Sequence, residues 1–154
     1  MTSHLFLAEL PADLAAGGKF ELTGDEAKHA ISVRRLRVGE ELQLTDGKGR
    51  RAQATVAAIE ARSLICKIEA IELETRPKPL ITLVQALAKS DRDEMAVQIC
   101  TELGVSAIIP WQADRSISRW DEAKARKNQD RWQSIAIEAT KQSLQSWAPS
   151  VPAL

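Results

Sequence analysis

Glu74-Thr75-Arg76-Pro77-Lys78-Pro79, followed by Leu80-Ile81-Thr82-Leu83-Val84-Gln85-Ala86-Leu87, is the stretch on which the fold turns. Pro77 and Pro79 lack an N–H to donate, and each pushes the residue before it out of the helical region, so 74–79 reads as a linker. The run from Leu80 is too uniformly apolar to alternate, which is the pattern of a parallel strand covered on both faces. A boundary between a domain at 1–73 and a second at 80–154 follows.

Beyond the linker, Asp91 to Leu103 has helical spacing, with Met95, Ile99 and Leu103 as its apolar stripe, Ala96 and Cys100 beside them, and Gly104 as the residue that ends it. Val105 to Pro110 reads as a second short strand, so strand, helix and strand form a parallel crossover unit. A polar connection leads to a long helix from about Asp121 to Trp147, with Trp132, Ile135, Ala136, Ala139 and Ser143 on its apolar stripe. Before the linker, short runs separated by turn signals predict a small β-barrel or sandwich with strands at 5–8, 19–22, 41–45, 51–59 and 63–71. Asp46-Gly47-Lys48-Gly49 predicts a hairpin. One helix interrupts these strands, capped by Thr23 or Asp25, with Ala27, Ala30 and Ile31 turned inward.

The 154 residues carry 21 basic and 21 acidic side chains, so no global positive field draws the chain onto nucleic acid. Residues 1–74 hold 10 Lys/Arg against 12 Asp/Glu and residues 75–154 hold 11 against 9, so neither half is a polybasic arm. Any nucleic-acid site is local. Cys66 and Cys100 form no CxxC pair, and His4 and His29 have no spaced partner, which argues against a disulfide framework or a metal site. No signal peptide or membrane span is legible, so a soluble, cytoplasmic protein is expected.

Two clusters of charge are candidate sites. Lys28, His29, Arg34, Arg35 and Arg37 crowd the end of the first helix, and Lys48, Arg50 and Arg51 occupy the hairpin. If the barrel brings helix end and hairpin together, they form a patch for phosphates; a solvated helix end with cations at its negative dipole terminus accounts for the first group equally well. Lys89, Arg92 and Arg115 lie where the two parallel strands end, the position at which α/β sheets bind ligands. The acidic pairs Asp91/Asp93 and Asp121/Glu122 stand where helices begin, and dipole capping explains them better than catalysis.

His29-Ala30-Ile31-Ser32-Val33-Arg34-Arg35-Leu36-Arg37-Val38-Gly39 with Asp46-Gly47 resembles the H-x-x-x-V-L-R-x-x-x-G…DG pattern of the bacterial 16S ribosomal RNA (uracil-N3) methyltransferases. Gln85-Ala86-Leu87-Ala88-Lys89-Ser90-Asp91-Arg92-Asp93-Glu94, Thr101-Glu102-Leu103-Gly104-Val105 and Ile109-Pro110 resemble that family's Q-A-L-x-K-x-D-K-x-E…T-E-L-G-V…I-x-P series. Asp114-Arg115-Ser116 and Glu138-Ala139-Thr140-Lys141-Gln142-Ser143 are similar to its E-R-S and E-A-x-E-Q-S elements. The matches keep the family's order along nearly the whole chain.

The resemblance implies an all-β, PUA-like N-terminal barrel that docks RNA, followed by the first half of an α/β SPOUT domain with its knot segment absent. It implies S-adenosylmethionine as methyl donor for the intact protein, 16S rRNA within the small ribosomal subunit as partner, and a homodimer. Arg34 stands where the family usually has Leu, and Gln145 where the long helix commonly carries Arg. The family's Gly-Pro-Glu-Gly-Gly loop and L-G-x-x-I-L-R-x-E-T-A segment are not in this sequence. The chain is therefore expected to be the front portion of a longer polypeptide, with no catalytic or cofactor-binding residue of its own, and the ten lysines and arginines and His29 named above remain as RNA-contact candidates. The alternative is a non-catalytic RNA-binding module.

Overall fold

The computed structural model describes residues 3–89 and 91–154. It divides into two units, the first ending at Thr75 and the second beginning at Arg76.

In the first unit the strands are β1 (His4–Leu7), β2 (Lys19–Leu22), β3 (Glu41–Thr45), β4 (Arg50–Ile59) and β5 (Leu64–Leu73), in the order β1-β3-β4-β5-β2. β1 pairs with β3 in parallel, and the other pairings are antiparallel. Alternation decides the faces. Leu42 and Leu44, then Ala52, Ala54 and Val56, then Leu64, Cys66 and Ile68 point inward and are buried. Register shifts at Gln53/Ala54 and Val56/Ala58 bend the long β4–β5 ribbon, because an extra residue on one strand locally increases its twist.

The sheet curls into a half-barrel, with β1 and β2 as its two edges, which do not pair with each other. A helix supplies what closure would have supplied. α1 (Gly24–Lys28) runs straight into a π-helical turn, His29–Val33, and its Ala27 and Ala30 are fully buried in the core that also holds Phe6, Leu22 and Leu36. The small alanines let the helix approach the sheet. The expected hydroxyl cap is not made, because Thr23 has no side-chain bond into the helix.

In the second unit β6 (Thr82–Ala86) and β7 (Ala107–Trp111) are parallel neighbours, with Leu83 opposite Ile108 and Val84 opposite Ile109. Between them lies α2 (Arg92–Glu102), and after them α3 (Glu122–Gln142). After α3 the chain returns beside β7, where Ile108 N donates to Ser150 O at 2.9 Å. The core is Leu87, Val97, Ile108, Trp120, Trp132, Ala136 and Val151, and the Trp120 and Trp132 rings meet edge to face at 5.1 Å.

Two expectations fail here. β6 and β7 are covered on one face only: Val84 is 56% exposed, and Ile109 and Trp111 are open beside it. The inward stripe of α2 is not Met95, Ile99 and Leu103, which are 61%, 47% and 80% exposed, but Asp93, Val97 and Thr101. Burial of the two polar residues is tolerated because each is bonded. Thr101 Oγ1 donates to Val97 O at 2.7 Å, and Asp93 Oδ2 accepts from Ala88 N at 3.2 Å. No helix among the described residues is long and apolar enough to cross a membrane.

Candidate nucleic-acid interface

The π-helical turn decides where the first basic cluster goes. Arg34 N donates to His29 O at 2.9 Å and Leu36 N to Ala30 O at 3.1 Å, loops wider than an α-helical turn that carry the chain back so that Leu36 is buried. Arg35, between them, takes the left-handed φ of 54°, a conformation that costs a residue with a Cβ about 1 kcal/mol. This reversal sends Leu36 inward and leaves Arg35 and Arg37 exposed, with Arg34 half-buried. Arg37 N donates to Glu40 Oε2 at 3.0 Å, which fixes the approach to β3. His29 is half-buried and meets the Phe6 ring edge to face at 6.0 Å. Burial, and then the charges of Arg34 and His29, push the His4 imidazole below its ordinary range, against the opposing pull of Glu40. Lys28, at the end of α1, is exposed.

The hairpin is built around Asp46. Its Oδ1 accepts from Lys48 N at 2.7 Å and Arg50 N at 3.0 Å, and Gly47 and Gly49 take the positive φ the turn requires, 69° and 101°. Arg50 then turns back onto its own unit: Nη1 donates to Leu10 O at 3.0 Å and Pro11 O at 2.7 Å, and Nη2 to Leu14 O at 3.4 Å. Arg51 pairs with Glu74 Oε1 at 3.0 Å and donates from Nε to Gln43 Oε1 at 2.8 Å. Of the three hairpin cations, Lys48 is the one left exposed.

The helix end divides: His29 packs on Phe6, whose strand partner Leu44 stands two residues before Asp46, whereas the arginines after the π turn lie at the other end of β3 from the hairpin. Arg34, Arg35 and Arg37 precede the first residue of β3 and the hairpin follows its last, so the length of that strand, about 13 Å at the usual rise, stands between them. The groove that does gather cations, of about 460 Å³, runs between α1 with its π turn and the β4–β5 connection, and it is lined by Lys28 and Arg62. Arg62 was not legible as a site residue. Its only signal is a cation on the short turn between two strands.

In the second unit Lys89, Arg92 and Arg115 lie beyond the carboxyl ends of β6 and β7, and all three are exposed. Ser90, between the first two, is outside the described residues. Asp93 organises this end: besides taking Ala88 N it accepts from Glu94 N at 2.9 Å, while Asp91 occupies the cap position at φ 31° without a side-chain bond. Glu94 pairs with Arg131 of α3, at 2.7 Å for the Nη2–Oε2 bond. Gln145 is tied elsewhere, donating from Nε2 to Thr101 O and Glu102 O, each at 3.0 Å, so it caps the end of α2. Among the described residues no group of three or more His, Cys, Asp or Glu side chains is placed to hold a metal ion.

Residues 75–154 match the family model of an RNA methyltransferase domain, and residues 22–69 that of an RNA methyltransferase PUA domain. The chain is 36% identical over 151 residues to ribosomal RNA small subunit methyltransferase E of Mycobacterium tuberculosis, covering 98% of this chain and 57% of that protein. It is 33% identical over 133 residues to the Bacillus subtilis protein of the same name, covering 86% of this chain and 52% of that one. It thus spans little more than half the length of these curated relatives. Among solved structures, ribosomal RNA small subunit methyltransferase E of Neisseria gonorrhoeae bound to S-adenosyl methionine superposes with a TM-score of 0.85 at 34% identity, over 98% of this chain and 62% of that one. A Legionella pneumophila methyltransferase in complex with the same cofactor gives a TM-score of 0.85 at 26% identity, over 99% of this chain and 62% of that one.

Proposed function

We propose, from the premise that this chain belongs to the RNA methyltransferase family, that its first unit docks ribosomal RNA and its second is the leading strand–helix–strand layer of a SPOUT enzyme that methylates N3 of one uridine of 16S rRNA. The intact enzyme would use S-adenosylmethionine, act in the cytoplasm on the assembled small subunit, and work as a homodimer. The observation that carries this reading is the coincidence of each family match with one structural unit, the PUA match inside the first and the methyltransferase match on the second.

The residues present do not fit the methyl donor. A groove of the second unit runs between α2 and α3, where Ile135 and Ala139 give it an apolar wall and Glu94, Gln98, Arg131 and Glu138 a polar one, with Glu94 and Arg131 paired to each other. Its polar side chains are exposed or, for Glu94, half-buried, so this groove sets no convergent buried acceptors around a sulfonium. We therefore assign the donor's pocket to the portion of the relatives' length that this chain does not span, and derive no step of methyl transfer from these residues. RNA docking is what they can do: cations held by a rigid half-barrel at one end, and Lys89, Arg92 and Arg115 at the strand ends of the second unit, are suited to phosphates.

The test is a titration of the 154-residue chain with 16S rRNA over a salt series. Affinity that falls log-linearly with salt is expected, because phosphate contacts release counterions, and salt-independent binding or none would remove the docking assignment. Calorimetric titration with S-adenosylmethionine addresses the second assignment. Saturable heat at micromolar donor would show a pocket in these residues and overturn it.

A further inference from the structure

We infer that the groove between α1 and the β4–β5 connection is a nucleotide subsite, in which one unpaired RNA nucleotide lays its phosphate on Lys28 and Arg62. The inference rests on the RNA-docking reading above and adds to it a place and a pair of residues. The groove is lined by Gly24, Lys28, Ile31, Ser32, Ala61 and Arg62, and its volume of about 460 Å³ is nucleotide-sized rather than phosphate-sized. Its walls divide by chemistry. Ile31 and Ala61 give apolar surface against which a ribose or base edge can lie, Ser32 gives a hydroxyl, and the two cations are exposed beside them.

Availability removes several of the other basic residues, and the groove singles out this pair from the cations that remain. Arg51, Lys67, Lys124, Arg131 and Lys141 are each within ion-pair distance of a carboxylate, and Arg50 is bonded to three carbonyls. Lys28 and Arg62 have no such partner among the described residues. The nearest acid on the same turn, Glu60, accepts from Ser63 Oγ at 3.4 Å. A guanidinium presents two parallel N–H groups to a phosphate, and the ammonium adds a flexible point charge. Location agrees as well. Gly39 N donates to Val56 O at 2.8 Å, which sets the Arg34–Arg37 segment beside the half of β4 that leads into the Arg62 turn. Lys48 lies past the opposite end of that strand, about 30 Å away along its ten residues. The phosphate track therefore runs from Arg35 and Arg37 to the groove and does not include the hairpin.

The experiment compares the Lys28→Gln/Arg62→Gln double variant with Lys48→Glu. Each changes the net charge by two, but at opposite ends of β4. Labelled 16S rRNA is titrated with each chain between ~50 and ~200 mM KCl, where phosphate contacts dominate the slope. The double variant is expected to weaken binding about ten-fold and to flatten the log Kd against log salt line by about 1.4, two single-strand contacts at ~0.7 each. Lys48→Glu should leave the slope as it is. Both substituted groove side chains are exposed, so an unchanged far-UV circular dichroism spectrum is expected, and Arg62→Gln alone, expected to flatten the line by about 0.7, gives a second reading. If the wild-type chain binds RNA and the double variant matches it, the groove is excluded while RNA docking stands. Equal losses in the double variant and Lys48→Glu would trace the effect to net charge and overturn the groove. A wild-type chain that binds no RNA at any salt removes both proposals.

Discussion

Replacing Arg50 by alanine separates a structural arginine from an RNA-facing one. The guanidinium closes the 10–14 segment over the end of the half-barrel through Leu10 O, Pro11 O and Leu14 O, at 3.0, 2.7 and 3.4 Å. A net hydrogen bond from a charged donor is worth about 1.5–3 kcal/mol. The Leu14 bond is long, and Pro11 stands at the surface where its carbonyl rehydrates, so the three together contribute about 2 kcal/mol rather than their sum. For a unit of this size that lowers Tm by about 10 °C. The assay follows from where the chromophores are. Trp111, Trp120, Trp132 and Trp147 are the chain's four tryptophans, and all lie after Arg76, so fluorescence follows the second unit while far-UV circular dichroism follows both. Loss of circular dichroism at lower temperature, with the RNA salt slope unchanged, is the expected pair of results. An unmoved Tm together with a flatter slope would refute the reasoning and return Arg50 to the RNA surface.

Gln145→Ala removes the donors that cap α2 at Thr101 O and Glu102 O, and is expected to lower the urea midpoint followed by tryptophan fluorescence by an amount equivalent to about 1 kcal/mol; an unchanged midpoint would mean that water replaces the amide without penalty. Cys66 is fully buried, and burial pushes its thiol up to about 11, so at pH 8 iodoacetamide should modify the half-buried Cys100 and spare Cys66 in the folded chain. Because the unfolded thiol gives up its proton near its ordinary 9.0 while the folded one keeps it, stability should fall as pH rises from about 9 to about 11, and a Cys66→Ala chain should lose that part of the pH dependence.

Strand positions in the half-barrel were legible because alternation and turn residues agree there: 19–22 and 41–45 match β2 and β3 residue for residue, and Asp46 and its two glycines form the expected hairpin. The parallel pair β6–β7 was legible for the same reason, a crossover helix of ordinary length between two short apolar runs. The face of α2 was not. Hydropathy selects Met95, Ile99 and Leu103, but the helix buries Asp93 and Thr101, whose polarity is neutralised by bonds to Ala88 N and Val97 O that no periodicity reveals. α3 stops at Gln142 rather than near Trp147 because Leu144 adopts a φ of 54°, which a side chain's type does not announce. At the candidate interface the basic residues were visible as a list but not as an arrangement. Arg50 and Arg51 are consumed by partners 36 to 40 and 8 to 23 positions away, and Arg62 joins Lys28 only through the fold.

The corner at Arg35 couples two properties that most surface positions keep separate. Glycine would adopt its left-handed main chain without strain, so the substitution that relaxes this turn is also the one that deletes its cation. Thermal tolerance and anion affinity at that corner are therefore set against each other: a chain adapted to heat gains from Gly at residue 35, and a chain that must hold a polyanion there gains from keeping Arg.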